Sequence, residues 1–374
     1  MAKRKIVSGI SELVAIIQTL INTTMKILKK LFKYIMLPIV TLGTVFYFVF
    51  SGFSGTEITE NRSVKGENQT IVFLNAGNAG NYLLKSDFYN RWNSYFDASI
   101  RMEKDLSSQS EEMNKKKYAT FLKEQCLNWG ENDITKMTEL LIHSQNKIRK
   151  ISPNILRDTV YIVKTTGKEE FNAYYTNQEA IVIPKKELKF LTFEKRKKDV
   201  EETLIHEYLH IYTRYNIKKR EELYSLIGFN KISPFLIPPE IEKIRITNPD
   251  NYELDYVIKL PNEKNVMTNY AMLLTSKYPK YDGTKGFIGA FSTLFGYLEE
   301  QIYSVNEKGE VSNNKVEIPK SVYEKTGKIS SYNYGPDEII AEAFKAMVTT
   351  DWENNKKYSK RDKEILTQIK EVIK

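Results

Sequence analysis

The pentapeptide His206-Glu207-Tyr208-Leu209-His210 constrains this chain more than any other stretch. It lies in a run that reads as helix over residues 194–216, where Val200, Leu204, Ile205, Tyr208, Leu209 and Tyr212 make a broad apolar face. Side chains four apart on a helix share a face, so both imidazoles can reach one metal ion. Glu207, between them, can face a metal-bound water as a general base. Burying this helix places His206, Glu207 and His210 among apolar neighbours, and a metal gives both imidazoles a partner. The competing reading is two polar residues on a surface helix. The chain holds only three histidines. The third, His143, falls on a helical run at 131–150 and reads as a structural or surface residue.

Two imidazoles leave a zinc ion short of ligands, because a catalytic site typically has three from the protein plus water. No histidine or cysteine follows His210, which points to a carboxylate. The best stretch is 332–344 (YNYGPDEIIAEAF), a helix opening after Gly335-Pro336. Glu338 and Glu342 are four apart and share a face, while Ile339, Ile340, Ala343 and Phe344 pack. One glutamate can bind metal and the other can brace a ligating imidazole. A solvated glutamate face is the plain alternative.

H-E-x-x-H followed by E-x-x-A-E-x-F resembles the gluzincin group of zinc metallopeptidases. In that group the glutamate opening the second motif is the third ligand, a role the resemblance gives to Glu338. The EIIAEAF stretch is similar to the lethal-factor and Pro-Pro endopeptidase type. Members of that type carry a tyrosine seven residues before the ligand glutamate, which helps stabilise the oxyanion. Here that position is Ser331, with Tyr332 and Tyr334 close by, so the role stays open between the two tyrosines. Glu338 also lies 128 positions after His210, far more than in those relatives. Between the motifs the chain resembles a family of bacterial zinc-binding metallopeptidases. The matching residues are Leu223-Tyr224, Ile227-Gly228-Phe229 and Ile246-Thr247-Asn248-Pro249-Asp250. The likeness covers residues 192–347, and the 71–160 region, read as mainly helical, carries none.

The resemblance implies an α+β, zincin-like catalytic domain: a small mixed sheet, an active-site helix and a C-terminal ligand helix. It implies Zn2+ as cofactor and a peptide or protein substrate. Strand-like runs at 159–164, 173–175 and 180–184 fit the sheet, the last two as a hairpin around residues 176–179. In zinc peptidases of this general kind an edge strand pairs with the extended substrate backbone. Prolines punctuate residues 217–330, and strand-like runs at 252–260 and within 287–305 mark an inserted, partly β subdomain.

The composition, 41% apolar and 28% charged, is that of a folded domain rather than a disordered chain. Of the net charge of +9, residues 1–53 carry +6, so the basic balance reports the N-terminus and no nucleic-acid face is expected. The single Cys126 excludes an intrachain disulfide and a thiolate zinc cluster.

Residues 1–33 read as a basic amphipathic segment, with apolar side chains at helical spacing over 6–31. Residues 34–56 hold no charge, and 35–53 are close to the length a spanning helix needs. This is the expected membrane contact, a signal-anchor. The Lys/Arg on its N-terminal side place the bulk of the chain outside the cytoplasm. The alternative is a signal peptide cleaved near Ser54 and a secreted product. Residues 57–70 read as a polar linker, and 71–374 as the metallopeptidase domain.

The leading expectation is a membrane-anchored zinc endopeptidase with metal ligands His206, His210 and Glu338, Glu207 as base, Tyr332 or Tyr334 at the oxyanion, and Glu342 behind a ligand. The rivals are a surface-anchored binding or assembly factor with a structural or vestigial metal site, and a cell-wall amidase. Glu207 argues against the former, since a purely structural site has no need of a base.

Overall fold

The structure, a computed structural model, describes residues 56–66, 69–86, 88, 95–189, 191–250, 253–284, 294, 296–330 and 335–374. The basic segment and the uncharged stretch up to residue 55 lie outside the described residues, as do Tyr332 and Tyr334. Among the described residues no helix is long and apolar enough to cross a membrane.

The fold is α+β, with a mixed sheet and a separate antiparallel sheet. The mixed sheet contains β1 (Arg62–Lys65), β2 (Thr70–Phe73), β3 (Cys126–Leu127), β4 (Thr159–Thr165), β5 (Tyr175–Asn177) and β6 (Ala180–Pro184). Its order is β1-β2-β4-β6-β5, with β3 pairing off this path to β4. Strands β2, β4 and β6 are parallel, while β1 and β5 run antiparallel at the two edges. The β-branched runs TVYIVKT and AIVIP take the centre because both their faces are covered. Val160, Ile162, Ile181 and Ile183 face the main core, and Val163, Ala180 and Val182 face a second core with Ala79, Leu83 and Leu122. That alternation is the period-two pleat. The tight β5–β6 hairpin turns at Gln178-Glu179, with Gln178 at a φ of 53°.

Residues 57–70 are not a linker. Ile58 is buried, its N–H donates to the Trp129 carbonyl at 2.8 Å, and β1 pairs with β2. The stretch reads as polar because β1 is a short edge strand with one apolar residue, Val64, packed on the core. Such a strand carries no periodic signal of its own.

The 71–160 region supplies α1 (Ala76–Leu83), α2 (Tyr95–Met102), α3 (Glu111–Gln125) and α4 (Glu131–Ile151). The pentapeptide lies on α5 (Glu194–Tyr215), followed by α6 (Ile217–Leu226) and the one-turn α7 (Pro239–Glu242). The chain ends with α8 (Ser321–Thr326), α9 (Pro336–Thr349) and α10 (Lys360–Ile373). Every residue of α5 from Leu204 to Thr213 is buried, so here the helix is covered all round rather than on one face. The main core joins Leu204, Ile205, Tyr208 and Leu209 of α5 to Leu141 and Ile148 of α4 and to Ile340, Ala343 and Phe344 of α9. Burying Ile340 or Phe344 contributes roughly 1.5–3 kcal/mol each. Pro336 occupies the first turn of α9, where its missing N–H costs nothing.

Residues 217–330 carry the antiparallel sheet. Its strands are β7 (Phe229–Lys231), β8 (Tyr256–Pro261), β9 (Met267–Ser276), β10 (Leu298–Val305) and β11 (Val311–Val316), in the order β11-β10-β9-β8-β7. One face (Phe229, Ile258, Leu260, Tyr270, Ile302) joins the main core, and the other (Val257, Ala271, Leu273, Tyr303) builds a core of its own.

Candidate metal centre

Helices α5 and α9 pack against each other, and their interface brings three candidate ligands together. His206 and His210 occupy successive turns of α5, and Glu338 the first turn of α9. His206 Nε2 lies 2.9 Å from His210 Nε2 and 3.2 Å from Glu338 Oε2, and His210 Nε2 lies 3.8 Å from the same oxygen. All three residues are buried, and Glu338 Oε2 has no aligned hydrogen bond among the described residues. Lone pairs converging at this spacing repel unless something positive stands among them, a proton or a metal ion. A tetrahedral ion with bonds of about 2.0–2.1 Å wants ligand atoms roughly 3.4 Å apart. The observed separations bracket that value, so the residues fit a metal of this kind.

The second atom of each ligand is also held. Glu338 Oε1 accepts from Asn248 Nδ2 at 2.7 Å. His206 Nδ1 sits 3.0 Å from Glu342 Oε1, one turn further along α9, in a close but oblique ion-pair contact. Glu342 in turn pairs with Lys345. A carboxylate behind Nδ1 favours the proton there and leaves Nε2 for a metal.

Burial alone lowers the basicity of the His206 imidazole, but Glu338 and Glu342 outweigh it and raise its pKa to about 10. Burial works against charge at Glu338 too, yet His210 and His206 hold its carboxyl well below the usual range. Glu342 is likewise held down to about 2, against burial, by His206 and Lys345. Glu207 goes the other way: burial first, then the neighbouring Asp250, push it well above an ordinary carboxyl. Its Oε2 is buried without a hydrogen-bond partner among the described residues. Glu207, His210 and Asp250 form a second close group, with one ligand atom of each within 4.8 Å of the others. Asp250 thus stands close enough to Glu207 to disfavour a second negative charge on it.

A cavity of about 400 Å3 opens on His206, Glu207, Glu338 and Glu342. Its walls include Ala173, Tyr174 and Tyr175 leading into β5, Leu274 and Leu298 of the antiparallel sheet, and residues 246–250. The outward N–H of Thr176 on β5 is taken, donating to Asp250 Oδ1 at 2.8 Å.

His143 is 60% exposed and pairs with Glu201 of α5 at 2.9 Å, away from the cluster. Asn248, Asp250 and Tyr174, whose hydroxyl is buried without a partner among the described residues, are site residues that the two motifs do not contain. The Ile246–Asp250 run is a sequence signal for the first two, but nothing in it tells which atoms they meet.

No family model, curated protein or solved structure matches this chain.

Proposed function

We propose that the chain is a zinc-dependent endopeptidase of the gluzincin type with a zincin-like catalytic fold, anchored to a membrane through residues 34–56. The observation that carries this reading is the buried His206–His210–Glu338 cluster with Glu207 beside it, whose Oε2 has no hydrogen-bond partner among the described residues. A merely structural centre needs the first three residues and has no use for the fourth.

His206, His210 and Glu338 would hold the ion. Zinc supplies Lewis acidity there, acidifying a water and polarising the scissile carbonyl. Glu207 takes the proton of the attacking water as the C–O bond forms, then gives it to the amide nitrogen as the C–N bond breaks. Glu342 orients the His206 ring. The extended substrate backbone is left the Ala173–Tyr175 part of the cavity wall, because Asp250 holds the Thr176 amide. An oxyanion-stabilising tyrosine, Tyr332 or Tyr334, would complete the site.

The test is metal analysis and peptide-library cleavage on the full-length chain, wild type beside Glu207→Gln. The expected result is zinc in both proteins and cleavage lowered at least ~100-fold in the variant. Zinc with undiminished cleavage in Glu207→Gln refutes the mechanism.

A further inference from the structure

Residues 246–250 cross the metal centre as a strap fixed at each of its residues. Ile246 N–H donates to Leu274 O at 2.9 Å, tying the strap to β9. The Thr247 carbonyl accepts from Arg101 Nη2 at 2.6 Å. Pro249 O lies 3.5 Å from Arg214 Nη2 on α5, and Asp250 Oδ1 accepts from Thr176 N. At the centre of the strap Asn248 is doubly committed. Its Oδ1 accepts from Asp250 N at 2.9 Å, which fixes the sense of the amide, so its Nδ2 is the atom that meets Glu338 Oε1 at 2.7 Å.

A glutamate's terminal torsion is soft and roughly two-fold, so packing alone does not choose which oxygen faces a metal. A hydrogen bond on one oxygen does. We propose that Asn248 is a positioning residue of the metal centre: it holds Glu338 Oε1 so that Oε2 alone faces His206 and His210. This rests on the metal-centre reading above and extends it, because it makes the 217–330 region part of the centre rather than a separate appendage. Arg101 acts one step further back, through the Thr247 carbonyl.

The full-length chain is compared with Asn248→Ala and the near-isosteric Asn248→Leu, which fills the space but donates nothing. Zinc affinity is measured by competition with a chromophoric chelator, and the visible spectrum of the cobalt-loaded protein reports the coordination. The expected result is a 10–100-fold loss of affinity in both variants with an altered cobalt spectrum. Wild-type affinity and spectrum in Asn248→Leu overturn the assignment, since the residue then matters only by packing. That variant also decides the case if Asn248→Ala fails to fold. A wild-type chain that takes up no metal overturns the metal centre itself and the assignment with it, a result separate from equal uptake by all three proteins.

Discussion

Replacing Arg101 by methionine tests how this fold holds its strap. The guanidinium is 1% exposed at the side chain, sits on α2, and ties three separate segments together. Its Nε donates to Asp97 at 2.9 Å, Nη1 to the Glu169 carbonyl at 3.0 Å and to the Glu170 carboxylate, and Nη2 to the Thr247 carbonyl at 2.6 Å. Methionine roughly keeps the volume and removes the charge, leaving Asp97 and Glu170 without their cation. Breaking a buried pair from one side costs about 3–5 kcal/mol, a large part of the 5–15 kcal/mol that ordinary domains possess. Urea unfolding at neutral pH measures the loss. Glu170 is already raised to about 8, by burial against the pull of Arg101, and without Arg101 it rises further. Wild type and variant share one unfolded state, so their difference changes with pH only above the wild-type Glu170 value of about 8: the Arg101→Met deficit is flat between pH 5 and 7 and grows as pH rises past 8. Adding Glu170→Leu recovers part of the loss, because an apolar pair needs no charge balance. A deficit under about 1 kcal/mol at neutral pH, or one that does not grow above pH 8, refutes the view that Arg101 balances these carboxyls.

Two further substitutions probe independent features. Gly327 has φ 75° and ψ −173°, a region open essentially to glycine alone, and a Cβ there would stand 2.5 Å from Asp362 Oδ1, within the capping box of α10. Gly327→Ala should cost about 2–4 kcal/mol by thermal or urea unfolding, and a neutral result contradicts the geometry. Glu169 is raised to about 7 by burial, from an ordinary 4.5, so the stability it contributes is full below pH 4.5 and is lost as pH rises through 7. Glu169→Gln should flatten that decline, worth at most ~3 kcal/mol, in urea midpoints taken between pH 4.5 and 8.

Helical spacing made much of the site legible. α5 begins and ends within one residue of the expected span and α9 opens where expected after Gly335, though it runs on to Thr349, because apolar periodicity, Pro336 and the turn residues are local signals. The β5–β6 hairpin was legible for the same reason, although its first strand lies at Tyr175–Asn177 rather than 173–175 and only Gln178-Glu179 make the turn. Residues 57–70 look like a linker in sequence because an edge strand with one apolar residue resembles a polar linker. The start of β8 at Tyr256 rather than residue 252 shows how weakly strand limits are written in alternation alone.

The order of residues alone set the chemistry on offer: two histidines one turn apart with a glutamate between them, a second helix with glutamates four apart, and no histidine or cysteine after His210. Tertiary structure decided what those groups meet. It set Glu342 behind His206 Nδ1, Asn248 on Glu338 from 90 residues away, and Arg101 under the strap from 146 residues away. The reason is range. Backbone geometry repeats every few residues and so marks the chain locally, while a hydrogen bond between distant segments depends on how sheets and helices pack, which no local pattern records.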